Sequence, residues 1–143
     1  MRLMLSKKEI TELSLFNLIL NYPELTENKI EELSSLEFDT DENKQFSQEL
    51  INSLINDKLT NSNDLKKKMS LNFENIISKI ENYSNNKEIM SSMDPSAYED
   101  FFNDYLAQLF SFKKDKELMA IEAELSKNPS ESVYNKYLSL KNS

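Results

Sequence analysis

Apolar residues recur every three to four positions along most of the chain, in blocks that begin and end at small polar residues. Ser6-Lys7-Lys8-Glu9 has the form of a capping box, and Ile10, Leu13, Phe16 and Leu20 follow at helical spacing. Leu15, Leu18 and Ile19 widen that stripe, so the first helix is expected to be buried round much of its circumference. Asn21-Tyr22-Pro23-Glu24 stops it, because the residue before proline is pushed out of the helical region. Thr26 is expected to cap a short second helix carrying Ile30 and Leu33, with Leu36 and Phe38 closing underneath. Thr40 or Asp39 caps a third, with Phe46, Leu50, Ile51, Leu54 and Ile55 on one side. Asn61-Ser62-Asn63 begins a fourth with Leu65 and Met69, and Asn72 a fifth with Phe73, Ile76, Ile77, Ile80 and Tyr83. Ser84 to Ser92 reads as a loop that Ile89, Met90 and Met93 pin to the body.

The longest uninterrupted pattern follows. Asp94 reads as an N-cap with Pro95 at the first helical position, and nothing breaks the helix before Asn128-Pro129-Ser130. That predicts about 32 helical residues, or roughly 48 Å. Tyr98, Phe101, Phe102, Tyr105, Leu106, Leu109, Phe110 and Phe112 form a broad stripe on its first half. Leu118, Ile121 and Leu125 form a narrower one on its second. Between them, Lys113-Lys114-Asp115-Lys116-Glu117 offers no face to bury. Such a helix is most simply a bridge between two packing units. Pro129-Ser130 then starts a last helix with Val133, Tyr134, Tyr137, Leu138 and Leu140.

Composition sharpens this picture. The 143 residues include no glycine and three prolines. Tight hairpins, phosphate-cradling loops and nucleophile elbows depend on glycine, so its absence argues for an all-α fold and removes the glycine-rich nucleotide fingerprints. No histidine or cysteine is present, which excludes the usual zinc sites, histidine bases and thiolate nucleophiles. No apolar run approaches a membrane span, and Met1 to Leu5 is too short for a signal peptide. The net charge of −8 disfavours binding to a phosphate backbone. Its distribution is uneven: residues 1–112 carry −9 and residues 113–143 carry +1.

Candidate chemistry is sparse. Asp39-Thr40-Asp41-Glu42-Asn43 matches the opening of an EF-hand pattern, but Lys44 stands where that loop needs glycine and Leu50 where it needs glutamate. The stretch is read as an acidic helix start, not a calcium loop. Asp100 and Asp104 lie one turn apart in the first turns of the long helix and read as a solvated face, as does Lys66-Lys67-Lys68. Asn82-Tyr83-Ser84 is a chance glycosylation pattern. No nucleophile motif is present.

The last helix carries a different signal. Val133, Tyr137 and Leu140 make one stripe, Tyr134 and Leu138 another beside it. A two-helix hairpin has one inner face, here against Leu118, Ile121 and Leu125, so both stripes cannot be buried within it. Either the hairpin folds back onto the body, or it presents an apolar surface to a protein partner. The charged bridge favours docking.

The chain resembles the C-terminal helicase-binding domain of bacterial DNA primase. Leu18-Ile19-Leu20-Asn21-Tyr22-Pro23-Glu24-Leu25 is similar to that family's helix ending in L-L-x-H-P-E-L, with Tyr22 where many relatives carry histidine. Ile30-Glu31-Glu32-Leu33 and Leu36-Glu37-Phe38 resemble its next segment. Ile121-Glu122-Ala123-Glu124-Leu125, Asn128-Pro129-Ser130-Glu131 and Tyr134 resemble its terminal hairpin. The resemblance implies a helical bundle subdomain, a long linking helix and a hairpin that docks on the N-terminal domains of the hexameric replicative helicase. It also implies that the chain is part of a longer enzyme whose zinc-binding and RNA-polymerase domains lie elsewhere.

The expected architecture is therefore all-α, with a bundle over residues 5–112 joined by one long helix to a C-terminal helical hairpin over 113–143. The expected function is recruitment of primase to the helicase and modulation of the helicase, with no catalysis in this chain. The expected docking surface comprises Leu118, Ile121, Glu122, Leu125, Val133, Tyr134, Tyr137, Leu138, Leu140 and Lys141. No metal or cofactor, no direct nucleic-acid contact and no membrane contact is expected of this cytoplasmic, monomeric module. Two alternatives are the N-terminal collar domain of the helicase, which the bundle subdomain also resembles, and a helical carboxylate-metal enzyme.

Overall fold

Small polar side chains set where the helices begin. In the computed structural model, which describes residues 5–86, 94 and 96–142, Ser6 Oγ accepts a hydrogen bond from the Glu9 backbone N–H at 3.1 Å and opens α1, Lys7–Asn21. The other half of the expected capping box is diverted. The Glu9 carboxylate lies 3.4 Å from Asn43 Nδ2 and 4.0 Å from Lys79 Nζ. Thr40 caps α3, Asp41–Ile55, by accepting from Asn43 N at 3.1 Å. Asn61 caps α4, Ser62–Asn72, with bonds from Asn63 N and Asp64 N at 2.9 and 3.3 Å. These caps satisfy N–H groups that a helix start leaves without an intrahelical partner.

Two expected starts differ. Thr26 caps nothing: it is buried at the end of a 3-10 turn, Pro23–Thr26, and its hydroxyl donates back to the Pro23 carbonyl at 2.7 Å. The short α2, Ile30–Ser34, begins from Lys29 without a side-chain cap. Asn72 ends α4 rather than starting α5, and its side chain donates to the Lys68 carbonyl at 3.3 Å. Phe73, at φ −136° and ψ 51°, is the single non-helical residue before α5, Glu74–Tyr83. Its ring meets Phe46 edge-on at 5.4 Å, so ring packing accompanies the break.

Asp94 takes the expected capping role for α6, Ser96–Lys127, a helix of 32 residues. Its Oδ1 accepts from Ser96 N at 3.0 Å, and that bond holds the carboxyl below its ordinary range. Pro95, and the expected pinning by Ile89, Met90 and Met93, lie outside the described residues. Ser130 opens α7, Glu131–Lys141, by accepting from Val133 N at 3.2 Å. The fold is all-α, with no strand among the described residues.

The chain divides into two compact units, Met1–Leu109 and Phe110–Ser143. In the first, α1 is central: residues 11–16 and 18–20 are buried without interruption for polarity. Phe16 contacts Phe46 at 4.7 Å and Phe38 at 5.6 Å between ring centroids, and with Phe73 these rings form one aromatic cluster. The first half of α6 completes this core with Tyr98, Phe102, Tyr105, Leu106 and Leu109. Tyr22 stacks on Tyr98 at 4.0 Å, and a hydrogen bond with Tyr98 together with burial pushes the Tyr22 phenol up to about 12. The segment after α5 is tied down by polar bonds. Asn85 N donates to Ser14 Oγ, Asn86 Nδ2 to the Ser14 carbonyl, and Tyr105 Oη to Asn85 Oδ1, all at 2.9–3.0 Å.

The lysine run is not a plain solvated face. Lys68 bonds to Asp57 and lies 3.1 Å from Glu49, so its ammonium is held above its ordinary value, and Lys66 donates to Asn21 Oδ1. Lys67 stays exposed. Among the described residues, the backbone takes a left-handed conformation at Asn28, φ 65°, and Lys58, φ 53°, without glycine.

Candidate functional site

The second unit consists of the end of α6, the turn at Asn128–Ser130 and α7. On α6, Leu118, Ile121 and Leu125 recur at helical spacing and are half-buried, whereas Glu122 on the adjacent face is exposed. On α7, Val133 is buried and Tyr137 and Leu140 are half-buried. Tyr134 is 52% exposed and Leu138 is 37% exposed. The two apolar stripes of α7 thus separate: 133, 137 and 140 turn inward, while 134 and 138, one turn apart, face solvent. Lys141 is exposed and its ammonium lies 5.4 Å from the Tyr137 ring centroid, within cation–π range.

Met119, 70% exposed, is a surface residue that the stripe pattern passes over. Its neighbours three and four residues away are Asp115, Lys116, Glu122 and Ala123, so periodicity assigns it to no apolar face. With Tyr134 and Leu138 it gives this short unit three of the six large exposed apolar side chains among the described residues; Ile55, Leu71 and Tyr83 are the others. Scattered apolar side chains are ordinary, but an i, i+4 pair on an 11-residue helix is a concentration. The charged stretch within this unit is partly covered: Lys113 and Lys114 are half-buried, and Asp115, Lys116 and Glu117 are exposed. A lysine's aliphatic stem can be covered although its end is charged, so partial burial of lysines is something periodicity alone does not anticipate.

The first unit offers clefts but little chemistry. The one between α2 and α3 is lined by Leu33, Leu36, Phe38, Ser47 and Ile51, with Lys44 its single charged side chain. Two acids of the Asp39–Asn43 stretch are drawn to lysines: Asp39 pairs with Lys8 at 2.8 Å and Glu42 lies 4.0 Å from Lys79. Asp104 accepts from Gln108 Nε2 at 2.9 Å. Among the described residues, no group of three or more metal-ligating acids is gathered in one place. No described helix is long and apolar enough to cross a membrane.

One titratable residue escaped the sequence reading. Glu12 lies on the apolar circumference of α1, four residues before Phe16, and is fully enclosed. Burial pushes its carboxyl from 4.5 up to about 7, against the hydrogen bond from Asn43 and the charge of Lys8. An acid one helical turn from a core phenylalanine was the available signal. Comparison with protein-family models, with curated proteins and with solved structures finds no match.

Proposed function

We propose that this chain is a helicase-interaction module of the bacterial primase type, in which the second unit docks on the N-terminal domains of a hexameric replicative helicase. The observation that carries the reading is the division of α7, whose Val133, Tyr137 and Leu140 turn inward while Tyr134 and Leu138 stay in solvent. A tyrosine and a leucine one turn apart on a short helix offer a large apolar area and a phenolic tip, the profile of an interface anchor. The ordered resemblance of the segments at 18–25, 30–38 and 121–134 supports helicase as the partner. On this reading the module recruits primase in the cytoplasm and modulates the helicase, primer synthesis belongs to other domains, and the first unit carries the modulating role.

The test is titration calorimetry of the chain against the purified replicative helicase of the same cell, with Tyr134→Ala as the variant. Loss of a hot-spot side chain should weaken binding by about 2 kcal/mol, roughly 30-fold, while leaving thermal stability near wild type. Absence of wild-type binding, or equal binding by the variant, refutes this placement of the interface.

A further inference from the structure

Glu12 and Asn43 face each other between α1 and α3, both fully buried, with Asn43 Nδ2 donating to Glu12 Oε1 at 2.9 Å. Their other two polar atoms, Glu12 Oε2 and Asn43 Oδ1, are buried with no hydrogen-bond partner. Both are acceptors, so the ionised carboxylate cannot join them. A proton on Oε2 changes that, because a protonated carboxyl is a donor as well as an acceptor. One proton would satisfy both orphaned atoms and close a ring of two hydrogen bonds. Leaving two buried acceptors unmatched is costly, whereas a matched acid–amide pair is not.

We propose that the folded protein holds a proton on Glu12, shared with Asn43, and that this acid–amide pair is a proton-controlled latch between α1 and α3. The surrounding charges do little to oppose it. On α1, Lys8 favours the ionised form, but it is committed to Asp39 at 2.8 Å. Asp39, ahead of α3, and Glu9, on α1, both disfavour ionisation. On α5, Lys79 lies 4.0 Å from both Glu9 and Glu42, so its charge is divided between two other acids.

The direction of the pH effect follows from the carboxyl's rise from 4.5 to about 7. Between those values the folded chain binds a proton that the unfolded chain has released, so stability falls as pH rises through that window. The latch contributes fully below 4.5 and is lost above 7. A displacement of this size corresponds to a change of about 300-fold in the folding equilibrium.

Glu12→Gln supplies the test. The amide mimics the neutral acid: its carbonyl accepts from Asn43 Nδ2 and its NH2 donates to Asn43 Oδ1, at every pH. Urea unfolding of the 143-residue chain and its variant should show similar stability near pH 4.5, with the variant gaining on wild type up to about 300-fold by pH 8. Taking the difference removes the contribution of the other carboxylates. A difference that does not change with pH overturns the latch. Should the variant fail to fold, carboxyl 13C NMR of Glu12 in the wild-type protein decides instead. A midpoint near 7 supports the latch, and one near 4.5 overturns it.

Discussion

Replacing Val133 by alanine tests how much holds α7 in place. Val133 is 8% exposed and is the only residue of the second unit that is fully buried among the described ones. Leu118, Ile121, Leu125, Tyr137 and Leu140 are only half-buried. The substitution deletes two methyl groups, each worth about 0.8 kcal/mol on burial, for a total of about 1.6 kcal/mol. That equals roughly a 15-fold shift in an opening equilibrium. An 11-residue helix has little reserve of its own, because short helices depend on packing of an apolar face. Native-state hydrogen exchange read by peptide mass spectrometry provides the assay. Amides of α7 should exchange about 15-fold faster in Val133→Ala, with α1 and α3 as internal controls. Unchanged exchange in α7 would refute the reasoning, since Val133 would then not be what secures the helix. Equal acceleration in α1 would refute it differently, by making the second unit's opening part of a global event.

The first unit makes a contrasting case. Phe46 is fully buried and its ring contacts Phe16 and Phe73, so Phe46→Ala should cost about 3–5 kcal/mol in urea unfolding. A loss below about 1 kcal/mol would mean that the aromatic cluster is not the centre of this core. At Lys58, whose φ is 53°, glycine removes the crowding of Cβ against the carbonyl, and Lys58→Gly should raise stability by about 0.5–1 kcal/mol; a lower urea midpoint would contradict it.

The sequence was informative wherever structure follows from a local bond. Ser6, Thr40, Asn61 and Ser130 each cap the helix their position suggests, because the deciding hydrogen bond spans only two or three residues. Thr26 shows the limit: its hydroxyl has two local options, and it turned back to the Pro23 carbonyl. Asn72 and Phe73 show another, since a ring that packs on Phe46, far off in sequence, sits at the break between helices. On α7 the spacing divides the apolar residues into two stripes, but it treats them alike. Which one turns inward depends on the surroundings of the helix. Glu12 was hidden for the same reason, because nothing local reveals that Asn43 waits across the core.

The absence of glycine has a consequence for the state from which this chain folds. At ordinary usage of about 7%, a chain of 143 residues would contain about ten glycines. Each replacement of glycine at a compatible site restricts the unfolded chain and favours the native state by about 0.4–1 kcal/mol. Across the chain that is about 4–10 kcal/mol of entropy never available to the unfolded ensemble. Among the described residues the opposing cost falls on Asn28 and Lys58, at about 1–2 kcal/mol each, where a side chain occupies backbone space best suited to glycine. Part of this protein's stability therefore lies outside the contacts of its folded form, in the stiffness of the chain before it folds.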